Sequence, residues 1–277
     1  MGLDGRGLQS KIESKQIQTQ AAFIVLALGL VISSVAWRYT EQRVGGDTAG
    51  KFQSKVAQAV DAIDRRFQDN VSLLLGLKGL FDASDKVDRD DFRDYLSSVD
   101  VKQRFPGLRA VSFIRHVPLS RKAAFEAGVR RDTSINPRGY PNFAIKPPGD
   151  RDEYLVVTYL EPMSGAFGFD IFSEPTRLPD IERARDSGQP TATGTIVLVG
   201  DPQKQVSLAL RVPIYRKGMP VATVAQRRAA FEGFVASTIR INDLMNSLLA
   251  TQLSSDFDLV IHDFGPDTDD KLESPSR

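Results

Sequence analysis

A charge-free apolar run near the N-terminus constrains this chain more than any other feature. Residues Ala21 to Trp37 read AAFIVLALGLVISSVAW and include no charged side chain. As a helix rising ~1.5 Å per residue, the run spans about 25 Å, near the minimum for crossing the hydrocarbon core of a bilayer. Trp37 and Tyr39 suit the interfacial aromatic belt at its far end. The run predicts a transmembrane helix over residues 21–39.

The sequence around the run predicts its orientation. Arg6, Lys11 and Lys15 precede it and favour a cytoplasmic N-terminus over residues 1–20. A cleaved signal peptide is the alternative, because Ser34-Val35-Ala36 resembles a cleavage site. The long polar lead and the length of the run favour an anchor. Both interpretations put the remainder outside the cytoplasm, so we expect a single-pass inner-membrane protein with a periplasmic or extracellular domain.

A second helical signal follows the run directly. The chain has no proline from Arg38 to Phe81, and its apolar residues recur there in steps of three and four. They are Phe52, Val56, Ala59, Ile63, Phe67, Val71, Leu74, Leu77 and Phe81. The spacing predicts a stalk helix over residues 40–81. Its apolar stripe either pairs with a second copy, giving a homodimer, or packs on its own domain.

Beyond Phe81 the pattern is mixed. Strands are predicted over Leu108–Val117, Tyr154–Leu160, Phe167–Phe172, Thr195–Val199, Val206–Tyr215 and Phe231–Ile239. Helices are predicted over Phe92–Val99 with Asp85 or Asp88 as N-cap, from Ser120 as N-cap through Val129, and over Asp180–Ser187 and Ile241–Leu253. Strands interspersed irregularly with helices favour an α+β domain with an antiparallel sheet.

Composition excludes several functional classes. Lys plus Arg number 36 against 35 Asp plus Glu, so no overall field attracts nucleic acid. The chain has no cysteine, which excludes disulfides, thiolate zinc sites and a cysteine nucleophile. We find no phosphate-binding, dinucleotide, zinc-protease or hydrolase motif, and expect no catalytic activity, cofactor or metal. The carboxylates of Asp88, Asp90 and Asp91 suit a helix N-terminus better than a cation site.

An ordered series of short pieces resembles a known family. The pieces are Pro106-Gly107-Leu108, Phe113-Ile114, Glu161-Pro162, Gly168-Phe169-Asp170, Ser173-Glu174-Pro175, Arg177, Ile181, Ala184, Gly188, Thr191-Ala192-Thr193, Leu198-Val199, Val212-Pro213-Ile214-Tyr215 and Phe231-Glu232-Gly233-Phe234-Val235. Together they resemble the CHASE domain, the extracellular sensory domain of bacterial histidine kinases and diguanylate cyclases and of plant cytokinin-receptor kinases. The resemblance covers about residues 71–253.

The resemblance implies an organisation for the whole chain. It implies two PAS-like subdomains above the stalk, with a small-molecule ligand in the membrane-distal one, here residues 82–253. Residues 254–277 resemble the opening of the membrane-proximal subdomain followed by a polar tail, so we expect this subdomain to be incomplete. The family's second transmembrane helix and its kinase or cyclase output domain are not in this sequence, and we expect a C-terminally truncated receptor input.

Three residues are candidates for ligand binding. If Phe167–Phe172 is a strand, Asp170 and Gly168 share one face, where an aspartate is costly unless paired and a glycine leaves room for an approaching group. The resemblance implies that an aspartate at this position contacts an adenine-like ring in the plant receptors. The alternative is that Asp170 caps the turn that follows. Thr193 and Phe113 are further pocket candidates.

Two functions are consistent with these features. In the first, the chain is a membrane-anchored sensor in which ligand binding shifts the stalk helices for transmembrane signalling. In the second, it is a truncated structural module that dimerises or pairs with a full-length receptor. The identity of the ligand is not encoded in any pattern we recognise.

Overall fold

The computed structural model describes residues 53–197 and 205–251. The predicted membrane helix over residues 21–39 and the segment 254–277 lie outside them. Within the described ranges, no helix combines the length and the apolar character needed to span a bilayer. The membrane anchor and the second subdomain therefore stay predictions.

The first helix, α1, covers residues 53–83 and confirms the helical stripe over this part of the chain. Leu74 and Leu77 are fully buried, whereas Leu75, on the other side of the helix, is 46% exposed. This half of the stripe packs on its own domain, because its leucines belong to the same apolar core as the sheet residues. Pairing of the lower stalk with a second copy stays a prediction.

The remaining helices are short and the strands are mostly long. The helices are α2 Arg89–Ser98, α3 Val101–Arg104, α4 Lys122–Arg130, α5 Leu178–Ser187, α6 Val224–Ala230 and α7 Ile241–Thr251. The strands are β1 Leu108–Pro118, β2 Glu153–Glu161, β3 Thr191–Ala192, β4 Ile196–Val197, β5 Val206–Tyr215 and β6 Phe231–Arg240. The bounds of β1, β2, β5 and β6 lie within about one residue of those predicted from the sequence.

The strands form one antiparallel sheet of six strands in the order β2-β1-β6-β5-β3, with β4 also paired to β5. This confirms the predicted α+β class with an antiparallel sheet and a long helix. Successive residues of a strand point to opposite faces. In β1, Phe113 therefore lies on one face and Ser112 and Ile114 on the other.

The first face of the sheet carries the main core. Its buried residues are Ala62, Leu73, Leu74, Leu77, Phe81, Val87, Phe92, Leu96, Phe105, Val111, Phe113, Tyr159, Leu210, Val212, Ile214, Val235, Ile239 and Leu244. At its centre the Phe113 ring lies 4.5 Å from that of Phe81 and 5.5 Å from that of Tyr159. Helices α1 and α2 are thus fixed to the middle of the sheet by aromatic contacts.

Arg89, the first residue of α2, is an unusual part of this core because it is charged and only 2% exposed. Its guanidinium donates to the Asp132 carboxylate at 3.0 Å and to the Thr158 carbonyl at 2.8 Å. It also lies within about 5 Å of the ring centroids of Tyr140, Tyr159 and Phe167. Arg89 therefore joins α2 to β2 and to the long loop before it.

The second face of the sheet is covered by α5 and by the loop that precedes it. Its buried residues are Ile114, Leu155, Val157, Leu160, Ile171, Ile181, Ala184, Phe231, Phe234 and Ala236. Ile181 and Ala184, one turn apart on α5, are both fully buried here. This face, opposite the long helix, is where the sheet has room for a cavity.

Two predicted local features are wrong. The strand predicted over Phe167–Phe172 is instead a turn, two isolated bridges at Phe169 and Asp170, and a 3₁₀ turn over Ile171–Ser173. Gly168 has a φ of +83°, which ends an extended run. Ser120, predicted as a helix N-cap, lies inside the 3₁₀ turn Leu119–Arg121 that leads into α4.

Candidate functional site

A cavity of about 90 Å³ lies against the second face of the sheet. Its lining residues come from five strands and the covering loop: Ala110, Ser112, Ile114, Val157, Leu160, Ser164, Ala166, Phe169, Ile171, Arg177, Ile196, Ala209, Arg211, Ala236 and Thr238. The sheet forms its floor, and the segment leading into α5 closes it from the other side.

Small side chains on adjacent strands create this space. Ala236 of β6 pairs with Ser112 of β1 on one side and with Arg211 of β5 on the other. In the next row, Thr238 pairs with Ala110 and Ala209. An interior normally packs to crystal-like density, so small side chains meeting across three strands leave an unfilled volume.

The floor contains one buried charge. Arg211 is only 2% exposed, and its Nε and Nη1 atoms have no hydrogen-bond partner among the described residues. Burial, together with the nearby positive charge of Arg177, lowers the pKa of Arg211 to about 10, so it stays protonated at neutral pH. Arg177 lines the same cavity but is ion-paired with Glu174. The cavity therefore carries an uncompensated positive charge.

Asp170 is fully buried but does not line the cavity. Its Oδ1 accepts hydrogen bonds from the backbone N–H groups of Leu155 at 2.8 Å and Phe172 at 3.1 Å. Its Oδ2 lies 3.4 Å from a nitrogen of Arg151. Burial raises the pKa of Asp170, against the lowering effect of the two N–H groups and Arg151. The carboxylate thus caps the 3₁₀ turn and ties it to β2, as the turn-capping alternative predicts.

Replacing Asp170 distinguishes its two predicted roles. Asp170→Ala leaves two buried N–H groups without an acceptor, and we expect it to lower the free energy of unfolding by about 2–4 kcal/mol. Asp170→Asn keeps an acceptor oxygen and removes a buried charge, so we expect a loss below about 1 kcal/mol. Chemical denaturation followed by circular dichroism measures both. An Asn variant of native stability that has lost all ligand binding would instead make Asp170 a ligand contact.

The other two candidates occupy different places. The Thr193 hydroxyl accepts the N–H of Ala209 at 3.1 Å, while its own N–H donates to the Ala209 carbonyl. Thr193 therefore positions a residue of the cavity floor. Phe113 lies on the first face of the sheet, in the core with Phe81 and Tyr159. The structure does not bring Asp170, Thr193 and Phe113 together in one site, and none of them lines the cavity.

Gly168, which was expected to make room beside Asp170, makes room for the protein itself. A Cβ at this position would lie 2.9 Å from the backbone oxygen of Ala144. The loop before β2 thus packs where a ligand was expected.

The acidic group at the start of α2 has a structural role. Asp88, the N-cap, is ion-paired with Lys86, and the Asp91 carboxylate accepts the N–H of Asp88 at 2.9 Å. Carboxylate oxygens of Asp88, Asp90 and Asp91 lie within 4.8 Å of one another, a spacing that a cation could bridge. Their partners show that the group caps and orients the helix.

A larger groove of about 740 Å³ lies near the end of β1. Its charged groups are mostly paired with each other or with neighbours. His116 lies 2.7 Å from Glu153, Arg115 lies 3.7 Å from Glu232, and Arg228 is ion-paired with Asp186. Arg121 and Arg216, which also line the groove, are exposed to solvent. The buried Arg211 therefore gives the smaller cavity the more specific chemistry.

Arg211 is the site residue that the sequence reasoning missed. The signal was an arginine in the middle of an otherwise apolar strand, VSLALRVPIY. Alternation puts it on the same face as Ala209, opposite Leu210 and Val212. Charged residues are rarely buried without a partner, so an arginine at this strand position marks a candidate site residue.

Comparison with known families bears on the whole domain. The family description of the CHASE domain matches residues 85–272, more than half of the chain. No curated protein matches the chain.

Proposed function

Since the chain belongs to the CHASE domain family of sensory modules in signalling receptors, we propose that it binds a small molecule outside the cytoplasm and passes the signal across the membrane. The domain itself is sensory rather than catalytic. The observation that carries the binding proposal is the cavity on the second face of the sheet, floored by small residues and closed by the loop before α5.

The strand order supports a PAS-like interpretation of this domain. Strands β1 and β6 are neighbours at the centre of the sheet. The pair β1–β2, first along the chain, therefore meets the pair β5–β6, last along the chain. Ligand pockets are usually mostly apolar with a few polar groups, and this cavity has that lining. At about 90 Å³ it is smaller than the usual range of about 300–1,000 Å³, so it suits only a small ligand. Thr193 and Asp170 act in this proposal as positioning residues behind its walls.

The sheet links the cavity to the long helix. Arg211 faces the cavity, while its neighbours Leu210 and Val212 belong to the core that buries α1. A ligand that draws the loop against the sheet would shift β5, and with it the packing of α1. Such a change biases a two-state arrangement of the stalk only if the ligand binds one state more tightly.

The proposed arrangement in the membrane follows from the sequence. Residues 1–20 lie in the cytoplasm, residues 21–39 cross the membrane and residues 40–81 form the stalk. The lower part of the stalk pairs with a second copy, while its upper part packs on the sheet. Residues 82–253 form the sensory domain, and residues 254–277 begin the membrane-proximal subdomain. Output is carried by a cytoplasmic domain or partner of the receptor.

Ligand binding by the full chain in mild detergent tests this proposal. We expect at least one member of a metabolite library to raise the melting temperature in a saturable manner, because a ligand that binds only the folded state stabilises it. Ala236→Leu fills the cavity floor and is expected to abolish the effect. Thr238→Leu serves as a second variant should the first fail to fold.

Ala123→Leu, an exposed position on α4, is the matched control and is expected to bind as the wild type does. A folded chain that responds to no compound, or a ligand whose binding ignores both cavity substitutions, contradicts the proposal.

A further inference from the structure

We propose that the ligand of this cavity is a small organic carboxylate whose anionic group pairs with the buried guanidinium of Arg211. This inference rests on the proposed function and specifies its ligand class. It comes from the chemistry of the cavity floor in this chain.

The charge of Arg211 is unpaired among the described residues. A guanidinium removed from water loses several kcal/mol of hydration, which folded proteins usually recover by pairing it with an anion. For Arg211, no carboxylate of the described residues lies within 4.0 Å, and two of its nitrogens lack an acceptor. Arg89, another buried arginine, has one nitrogen without an acceptor but gains an ion pair with Asp132 and a carbonyl acceptor, neither of which Arg211 has among the described residues.

The charges around Arg211 favour an anion in the cavity. The charged neighbour on the cavity wall is Arg177, a second cation, whereas Asp180 acts on Arg211 only as a weaker favourable charge. Glu174 pairs with Arg177 but not with Arg211, so the nearby cation opposes the charge of Arg211, and an anion in the cavity would offset it. Arginine suits this role because its planar fork matches the two oxygens of a carboxylate.

The size and lining of the cavity suit a short organic acid. About 90 Å³ corresponds to roughly three water molecules at ~30 Å³ each, enough for a carboxylate and a short chain. Ile114, Phe169 and Ile171 provide apolar walls, and Ser112 adds a hydroxyl near the floor. Apolar walls favour an organic acid over an inorganic oxyanion, which would leave them unused.

The test compares an acid with its uncharged isostere. Propionate is titrated into the full chain alongside propionamide, sulfate and phosphate, with melting temperature and calorimetry as readouts. We expect saturable binding of propionate and none of propionamide. Arg211→Met removes the charge while keeping the volume, and we expect it to weaken propionate binding by at least about 30-fold.

The stability of the unliganded variant separates a ligand contact from a structural role. Because the charge is unpaired, Arg211→Met is expected to be as stable as the wild type or more so. Arg109→Met, an exposed arginine of β1 outside the cavity, is the matched control and should bind propionate normally.

The outcomes also separate this inference from the proposed function. Equal binding of propionate by the wild type and Arg211→Met, or equal binding of propionate and propionamide, overturns the inference. So does binding of sulfate or phosphate in place of the organic acid. If an uncharged ligand binds and Ala236→Leu blocks it, the sensory function stands and the carboxylate assignment fails. If no ligand of any class binds, both fail.

Discussion

Replacing Leu74 with alanine is expected to lower the free energy of unfolding by about 2–5 kcal/mol, because it opens a cavity where α1 meets the sheet. Leu74 is fully buried and lies in the main core with Leu77 and Phe113. Few neighbours can move into the space, since the surrounding rings are fixed by contacts with each other. Urea denaturation of the full chain, followed by circular dichroism, measures the change.

The adjacent residue provides the control. Leu75→Ala makes the same chemical change in the same helix, but Leu75 is 46% exposed. We expect its effect to stay within about 0.5 kcal/mol. Equal losses for Leu74→Ala and Leu75→Ala would mean that α1 does not pack on the sheet as described.

Replacing Arg89 with alanine is expected to cost about 3–5 kcal/mol, the usual cost of breaking a buried ion pair by removing one partner. The change leaves the Thr158 carbonyl without its donor and opens a space between the rings of Tyr140 and Tyr159. Arg93→Ala, one turn later on α2 and 43% exposed, is the control, and we expect little effect from it. Similar costs for both substitutions would contradict this account of the core.

The Arg89 pair also predicts a pH dependence. Burial alone would raise the pKa of Asp132, but hydrogen bonds from Ser134 and Arg89 outweigh it and hold the pKa below its ordinary value of 3.8. A carboxyl with a lowered folded-state pKa stabilises the fold above its unfolded pKa and loses that contribution as the pH falls through the folded one. Asp132→Asn removes this carboxyl, so we expect the variant to lose less stability than the wild type when the pH is lowered below about 4.

Periodicity predicted the regular elements well. The steps of three and four along α1 arise because one side of the helix is buried. The strands β1, β2, β5 and β6 are largely continuous apolar runs instead, because both faces of the sheet carry core residues. In α1, Leu74 and Leu77 fall on the stripe and Leu75 off it, as the spacing requires. The antiparallel α+β class followed from the order of these elements.

The segment over residues 167–172 failed for a physical reason. Its alternation of phenylalanine with smaller residues is typical of a strand, yet Gly168 takes a positive φ and Asp170 accepts N–H groups from β2 and from its own turn. The hydrogen bond from Leu155 is long-range, because Leu155 lies fifteen residues earlier along the chain. A pattern within residues 167–172 cannot predict a contact with so distant a residue.

The cavity was not predictable for a related reason. Its floor forms where Ser112, Ala236 and Arg211 meet across three strands, a row fixed only by the pairing register. Ser112 and Ala236 are ordinary strand residues, and the unusual arginine in β5 becomes a site residue only because they leave a space beside it.

A crystal structure of the full chain, grown with the compound that most raises its melting temperature, tests the central claim most directly. The account predicts ligand density on the second face of the sheet, against Ala236 and Ser112, with an acidic group of the ligand on Arg211. Density in the groove beside His116 and Phe231, or on the face that packs α1, would contradict it.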